Sequence, residues 1–402
     1  MSVSVHIPLV KAWNGTIYIN VDGSVDPPSA PIQQNGNVYT LTDNISTTSD
    51  GIVIERNDIT LDGSHYTIQG NGNSNENGID MNQTSYVTVQ NTNIENFSIG
   101  IFAPQSEYDT ITGNTIAQNS LGMWIDSSSN INVIGNNIQQ NSVFGIWLTS
   151  SSNVDIYHNN FVNNVAQVYT DSINTWDAGY PIGGNYWSDY AGSDLYSGPF
   201  QNQTGSDGIG DSPYIINVNN VDNYPLIGPL VHDVGITDVY SAKTIVGQGL
   251  TMNITLQVVN YGAEAETVSV MLNVGSIIVN TWSETLPAQT FELLNYTWTA
   301  FGIPRGNYTI GAYAPPVSGE TLTADNNFTD SSVIVSLIGD LTGPTPFVPD
   351  GKVDIRDISV VAKCFGSLPG MSNWNANCDL NNDGKIDIRD ISMVAKHFGQ
   401  SG

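Results

Sequence analysis

Basic side chains are scarce in this chain. Ten lysines and arginines stand against 38 acidic residues, for a net charge of −28 at pH 7. Such a surface repels nucleic-acid phosphates and anionic membranes, so neither is an expected partner. Charged residues of both signs make up only 12% of the 402 residues, where a quarter is usual. Only two cysteines occur, Cys364 and Cys378, too few for a disulfide framework. No run of 18 apolar residues is present, so no helix is long and apolar enough to cross a membrane. The N-terminus shows no signal-peptide pattern, so an exported chain is expected to be a mature or trimmed form. Methionine, histidine and cysteine do not cluster as a soft-metal site needs. The acidity instead suits a cation-rich extracellular setting, with carboxylates available for calcium.

What the sequence does have is a repeat. Gly78, Gly100, Gly122 and Gly145 recur at steps of 22 or 23, each followed by an apolar residue. The same step carries Val89 to Ile111, Val133 and Ile156, and Ile94 to Ile116, Ile138 and Phe161. Asn114, Asn136 and Asn159 form one polar row, and Asn119, Asn141 and Asn164 another. A fixed period of this length means stacked copies of one supersecondary unit. Apolar residues alternate within each unit, which is a strand period. Short strands broken by Asn, Gly and Ser predict a right-handed parallel β-helix, with aliphatic rows filling the core and amide rows bonding along the stack. A leucine-rich repeat shares the period, but no Leu-rich consensus or helical segment completes the unit.

The expected organisation is mainly β and multidomain. Residues 1–50 read as an N-terminal cap and first coil, around a Pro-rich turn at Asp26–Pro31. Residues 51–229 read as the β-helix, its period dissolving after Asn164 into a loop-rich cap in which Tyr186, Trp187 and Tyr190 close the core. Residues 230–337 carry strand-like runs every 10–15 residues, among them Val268–Val279, and read as an immunoglobulin-like β-sandwich. Residues 338–402 read as a small α-helical calcium module.

Three blocks, Gly183–Tyr190, Asp207–Tyr214 and Asp222–Leu226, together with the preceding coils, resemble the NosD-like β-helix family over residues 50–229. That family includes periplasmic copper-insertion proteins and archaeal surface proteins. Met81 and Met123, however, fall in core columns. Asp207–Asp211 offers a further candidate calcium loop, with a plain cap as the other reading. The turn Asn260-Tyr-Gly262, the strand Gly306–Ile310 and the ending Ala324–Asn327 look like the CARDB family, which implies a spacer or adhesion unit.

Many β-helices act on polysaccharides. A lyase of this type needs a basic side chain for proton abstraction, yet Arg56 is the one Lys or Arg between Lys11 and Lys243. A hydrolase needs two carboxylates, and Asp80, Asp126 and Asp155 do not share a column. The catalytic set is therefore expected to be empty, with a tethered carbohydrate-active enzyme as the alternative.

The tail carries the sharpest pattern. Asp350–Gly366 recurs 33 residues later as Asp383–Gly399. In the second copy Asp379, Asn381, Asp383, Lys385 (by its carbonyl), Asp387 and Asp390 fall at loop positions 1, 3, 5, 7, 9 and 12, with Gly384 at position 6. Ca²⁺ takes six to eight hard oxygens, and this spacing supplies them around one turn. Each loop leads into an amphipathic helix, with Ile358, Val361, Ala362 and Phe365, then Ile391, Val394, Ala395 and Phe398, on one expected apolar face. The first loop departs: Pro346 falls at position 1 unless Leu341–Pro349 bulges out and Asp340 serves. Asp350, Lys352, Asp354 and Asp357 complete that set, with position 3 undecided.

This duplication resembles the type I dockerin family over residues 339–402. The resemblance implies calcium as cofactor and a cohesin-like partner, recognised through Ile355, Arg356 and Lys363 and through Ile388, Arg389 and Lys396. Another copy of the same chain is a second candidate partner, giving filaments, and a cell-surface polysaccharide a third. Cys364 and Cys378 are expected to bridge in an oxidising exterior, with two buried free thiols as the alternative. Nine sequons, at Asn14, Asn44, Asn82, Asn96, Asn202, Asn253, Asn295, Asn307 and Asn327, are glycosylation candidates. The expected role is a non-catalytic, archaeal-type cell-surface or adhesion protein attached through its calcium-dependent tail.

Overall fold

A computed structural model describes residues 13–72 and 75–402; the expected cap lies partly outside these. The chain forms two compact units. The first comprises residues 1–233 with 261–264 and 319–324, and the second 234–260, 265–318 and 325–402.

The first unit is a three-sided parallel β-helix. Each coil contributes one strand to each side, as in Ile99–Pro104, Thr110–Thr112 and Thr115–Ala117. Equivalent residues pair in register from coil to coil: Ile101 with Ile79 and Met123, Ile111 with Val89 and Val133, Ile116 with Ile94 and Ile138. These aliphatic rows are fully buried and form one continuous core.

Three corners join the sides, and each carries a polar ladder. At one, the Asn114, Asn136 and Asn159 backbone N–H groups donate to the next coil's amide oxygen at 3.0–3.1 Å, ending on Asn185. Asn119, Asn141 and Asn164 repeat this at the second corner. Ser106, Ser128, Ser151 and Ser172 do so at the third with hydroxyls. The glycine row has a steric cause. A Cβ on Gly122 would lie 2.4 Å from the Gly145 carbonyl oxygen, and one on Gly100 2.5 Å from that of Gly122.

The period continues past Asn164, contrary to expectation. Ala166–Thr170 and Tyr186–Trp187 pair onto two sides, and Thr175 bridges to Asp155 on the third. The segment between them varies in length, which hides the coil from a fixed-period reading. Trp187 closes the core with Trp176, and Tyr190 and Tyr214 pack against it, whereas Tyr186 belongs to a separate small cluster. Trp187 stacks on Phe161 and Tyr214 at 4.3 Å each. The carboxylates of Asp194 and Asp211 accept backbone N–H groups of the neighbouring loops.

The second unit opens with a β-sandwich of a three-stranded and a five-stranded sheet. The expected run Val268–Val279 is two strands, Glu266–Val274 and Ile277–Leu286, turned at Gly275 with φ +60. Glycine occupies this left-handed conformation without steric cost. Two helices follow, α1 (Ile355–Lys363) and α2 (Ile388–Lys396). Their core is continuous with the sandwich strand that carries Ile245.

Asp222 ends the first amide ladder. It is fully buried and accepts from the Asn185 N–H and the Trp187 indole, both at 2.8 Å. Burial pushes its carboxyl up to about 7. A carboxyl whose pKa rises on folding stabilises most while protonated, so its contribution is full below pH ~3.8 and fades as pH rises through about 7. Asp222→Asn is expected to lower the urea midpoint of this unit overall. It should also flatten its decline between pH 5 and 8, read by tryptophan fluorescence.

Candidate functional site

The duplicated tail folds as two near-identical loop–helix units. In the second, the Asp379 carboxylate accepts the Asp383 and Gly384 N–H groups at 3.2 and 3.0 Å. Asp390 is fully buried and accepts from Leu380 at 2.8 Å, from Asn381 at 3.4 Å and from Asp387 at 2.9 Å. Asp387 caps α2 by accepting the Arg389 N–H at 2.7 Å. The loop is thus held in a tight ring by its own carboxylates.

The first loop repeats this geometry with different spacing. Asp340 accepts the Asp350 and Gly351 N–H groups at 3.2 and 3.0 Å, as Asp379 does in the second loop. Asp357 accepts from Leu341, Thr342 and Asp354 at 2.8–2.9 Å, as Asp390 does. Asp340 therefore holds the first position, and residues 343–349 form the bulge. Position 3 belongs to Thr342, which spacing alone did not reveal. Its hydroxyl accepts the Phe347 N–H at 3.1 Å. Burial pushes the Asp340 carboxyl up to about 6.

The donor set suits a hard divalent cation, since every side-chain ligand position carries oxygen. Two guanidinium groups lie on the same carboxylates. Arg389 pairs with Asp383 and Asp387 at 2.9 and 2.8 Å, and Arg356 with Asp350 and Asp354 at 2.8 and 2.6 Å. Beside Arg356 and Arg389, the carboxyls of Asp354 and Asp387 are held below their ordinary value.

The second loop leans on the sandwich of its own unit. The buried Lys243 ammonium donates to the Asp379 carbonyl. The Asn377 amide oxygen accepts the Thr244 and Ile245 N–H groups at 2.9 and 3.0 Å. Asn382 donates to the Thr251 carbonyl at 2.6 Å.

The expected apolar helix face is corrected. Ile358 and Val361 turn inward with Cys364, whereas Ala362 and Phe365 face out; Val394 is buried while Ala395 and Phe398 are exposed. Each helix ends before its phenylalanine, so the 3.6-residue period no longer applies there. Ile355 and Ile388 are 63% and 62% exposed, and Phe365 and Phe398 51% and 55%. Each copy presents Ile, Arg, Ser, Ala, Lys and Phe in the same order. The two phenylalanines join the six expected partner-binding residues on the surface.

Cys364 and Cys378 lie side by side, buried and unbonded, with their sulfurs 3.2 Å apart. Burial pushes the Cys378 thiol up. Eight sequon asparagines are exposed and Asn96 is half-buried. Met81 and Met123 are fully buried in the β-helix core. His158 is also buried, with Nε2 2.6 Å from the Ile182 carbonyl. Asp80 and Asp126 lie in different columns of one side of the solenoid and Asp155 on another side, so the three share no column.

Asp390→Ala would leave three backbone N–H groups without their acceptor. At roughly 1–3 kcal/mol for each unsatisfied group, the tail is expected to lose about 3 kcal/mol or more in chelator. Asp390→Asn, which keeps one oxygen, should lose less. Hydrogen exchange across residues 379–396 measures both.

Comparison with known proteins follows this division. Residues 10–192 match the family described as periplasmic copper-binding protein (NosD). Residues 348–399 match the dockerin type I domain. No curated protein sequence matches the chain. Among solved structures, a CARDB domain from Pyrococcus furiosus in complex with di-metal ions is 19% identical, with 26% of this chain and 89% of that one covered, at a TM-score of 0.23. The periplasmic alginate epimerase AlgG is 17% identical, covering 32% of this chain and 38% of that one at 0.25. A type II Cohesin-X-Dockerin complex from Acetivibrio cellulolyticus is 20% identical, covering 33% and 83% at 0.14. At these scores the structural likenesses assign no function. The chain thus joins a NosD-like β-solenoid to a dockerin type I module, with a β-sandwich between them in sequence.

Proposed function

We propose that this is a secreted or surface assembly protein whose duplicated tail is a calcium-dependent plug for a cohesin-like partner. The observation that carries this reading is the repeated ring of carboxylates, each ring leading into a helix with an exposed Ile and Ala and an exposed Phe just past its end. Asp379, Asn381, Asp383, Asp387 and Asp390 would hold one ion, with the Lys385 carbonyl. Asp340, Asp350, Asp354 and Asp357 would hold the other, with the Lys352 carbonyl and the weaker Thr342 hydroxyl. A bound divalent ion supplies the positive charge that four convergent carboxylates need.

Arg356 and Arg389 lie beside the loop carboxylates, and Lys363 and Lys396 follow on the same helices. Each helix, with the Phe just past its end, offers exposed Ile, Ala and Phe beside these cations, suited to a partner with an acidic rim. Because the two copies carry the same six residues, either helix can present this surface. The β-helix and sandwich then serve as body and spacer, without chemistry of their own. Docking onto a second copy would give filaments, and the exposed sequon asparagines are available for glycans.

Calcium is expected to raise the thermal midpoint of the second unit in the full chain, and EGTA to reverse the gain. A panel of immobilised cohesin domains, together with the chain itself, tests the partner. Capture should require calcium and should fall about tenfold or more in the double variant F365A/F398A, as truncating central anchor rings does. Equal capture in EGTA would contradict the reading.

A further inference from the structure

A second candidate surface lies on the β-helix and uses none of the tail residues. A groove of about 580 Å³ runs along one side of the solenoid. Its rim is a row of residues one coil apart: Tyr86, Tyr108, Asn130 and Asn153. All four sit at the same left-handed turn, with φ 54–59, so their side chains occupy equivalent places on successive coils. Its floor comes from the adjoining strand row, where Asn132 pairs with Asp155 and Asp155 bridges to Thr175.

The rim changes character midway. Tyr86 and Tyr108 stack with centroids 5.0 Å apart and planes 4° apart, and both rings are about half exposed. The next rung is Asn130, whose amide is smaller than a ring. Its oxygen accepts from the Asn153 amide at 3.3 Å, so those two side chains lean on each other. The aromatic stack therefore stops at Tyr108, and a notch opens against the outer face of that ring. On another side of the solenoid Phe102, Trp124, Trp147 and Tyr169 run without such a break. There each inner ring meets its neighbours at 5.2–6.2 Å. That ladder consolidates the sheet, with its inner rings covered by their neighbours.

We propose that this notch binds an uncharged polysaccharide, with one sugar ring stacked on Tyr108 in the place of the missing rung. A pyranose has an apolar face for the tyrosine and equatorial hydroxyls for polar neighbours. Asn130, Asn132 and Asn153 offer both donors and acceptors, and Asp155 and Thr175 add acceptors and a hydroxyl. The coil repeat places Asn153 and Asp155 about 4.8 Å farther along the axis than Asn130 and Asn132, so a chain lying along the solenoid meets polar groups on both coils. Charge selects the occupant. The lining residues include one carboxylate and no lysine or arginine. Polyuronates and sulfated glycans would meet repulsion with no compensating cation. Glycoside hydrolysis requires two carboxylates, so this groove binds and does not cleave.

The test uses the full chain with neutral hexasaccharides of glucose, mannose, xylose and N-acetylglucosamine, and with hexagalacturonate, by saturation-transfer NMR and calorimetry in EGTA. Chelator keeps this result separate from the calcium reading, since the groove uses none of the tail. At least one neutral hexasaccharide should bind, and hexagalacturonate should not. Tyr108→Ala should weaken binding about tenfold, equivalent to about 1.4 kcal/mol, and Tyr108→Trp should restore it. Tyr196→Ala, at an exposed tyrosine elsewhere on this unit, should leave it unchanged. Binding by none of the neutral sugars, preference for the uronate, or indifference to Tyr108→Ala in a folded variant would each overturn the proposal.

Discussion

A backbone N–H that turns away from a sheet or helix and is buried must find an acceptor oxygen. Both units of this protein are built around that requirement, and both meet it with side chains. In the β-helix, each corner N–H bonds to the Asn or Ser oxygen of the next coil. In the tail, Asp357 and Asp390 each gather three loop N–H groups onto one carboxylate.

The choice of oxygen follows from geometry. A ladder needs each rung to accept from one neighbour and donate to another, which an amide does and a carboxylate does not. Stacked carboxylates would also repel. Asp222 stands where the ladder stops, so it accepts without having to donate onward. A closed loop has the opposite demand, for several acceptors aimed inward and no donors. Convergent carboxylates meet it, and they concentrate negative charge that a cation must balance. Arg356 and Arg389 lie against two carboxylates of each loop. The proposed docking function rests on a divalent ion held by the same rings.

Much of this was legible in the sequence because both halves repeat. The glycine, isoleucine and asparagine rows set the β-helix register correctly from Gly78 to Asn164. The serine ladder went unread because serine is common in loops. The last coil was missed because its connection is longer, so the spacing broke while the pairing did not. In the tail, loop positions were readable wherever the spacing was regular. Thr342 was not, since a bulge of seven residues separates it from Asp350. Phe365 and Phe398 were misassigned to the core because helical periodicity was carried beyond Lys363 and Lys396, where the helices end. The groove at Tyr108 was invisible for a different reason. It depends on where a row changes from ring to amide, and no motif marks that step.

The central claim is that each of the two carboxylate rings holds one divalent ion. Native mass spectrometry of the full chain, titrated with calcium, reads this directly. The account predicts a limiting complex with two ions, one ion for Asp390→Ala and none for the double variant with Asp357→Ala. An intact chain that takes up no calcium, or a double variant that takes up as much as the parent, would contradict it.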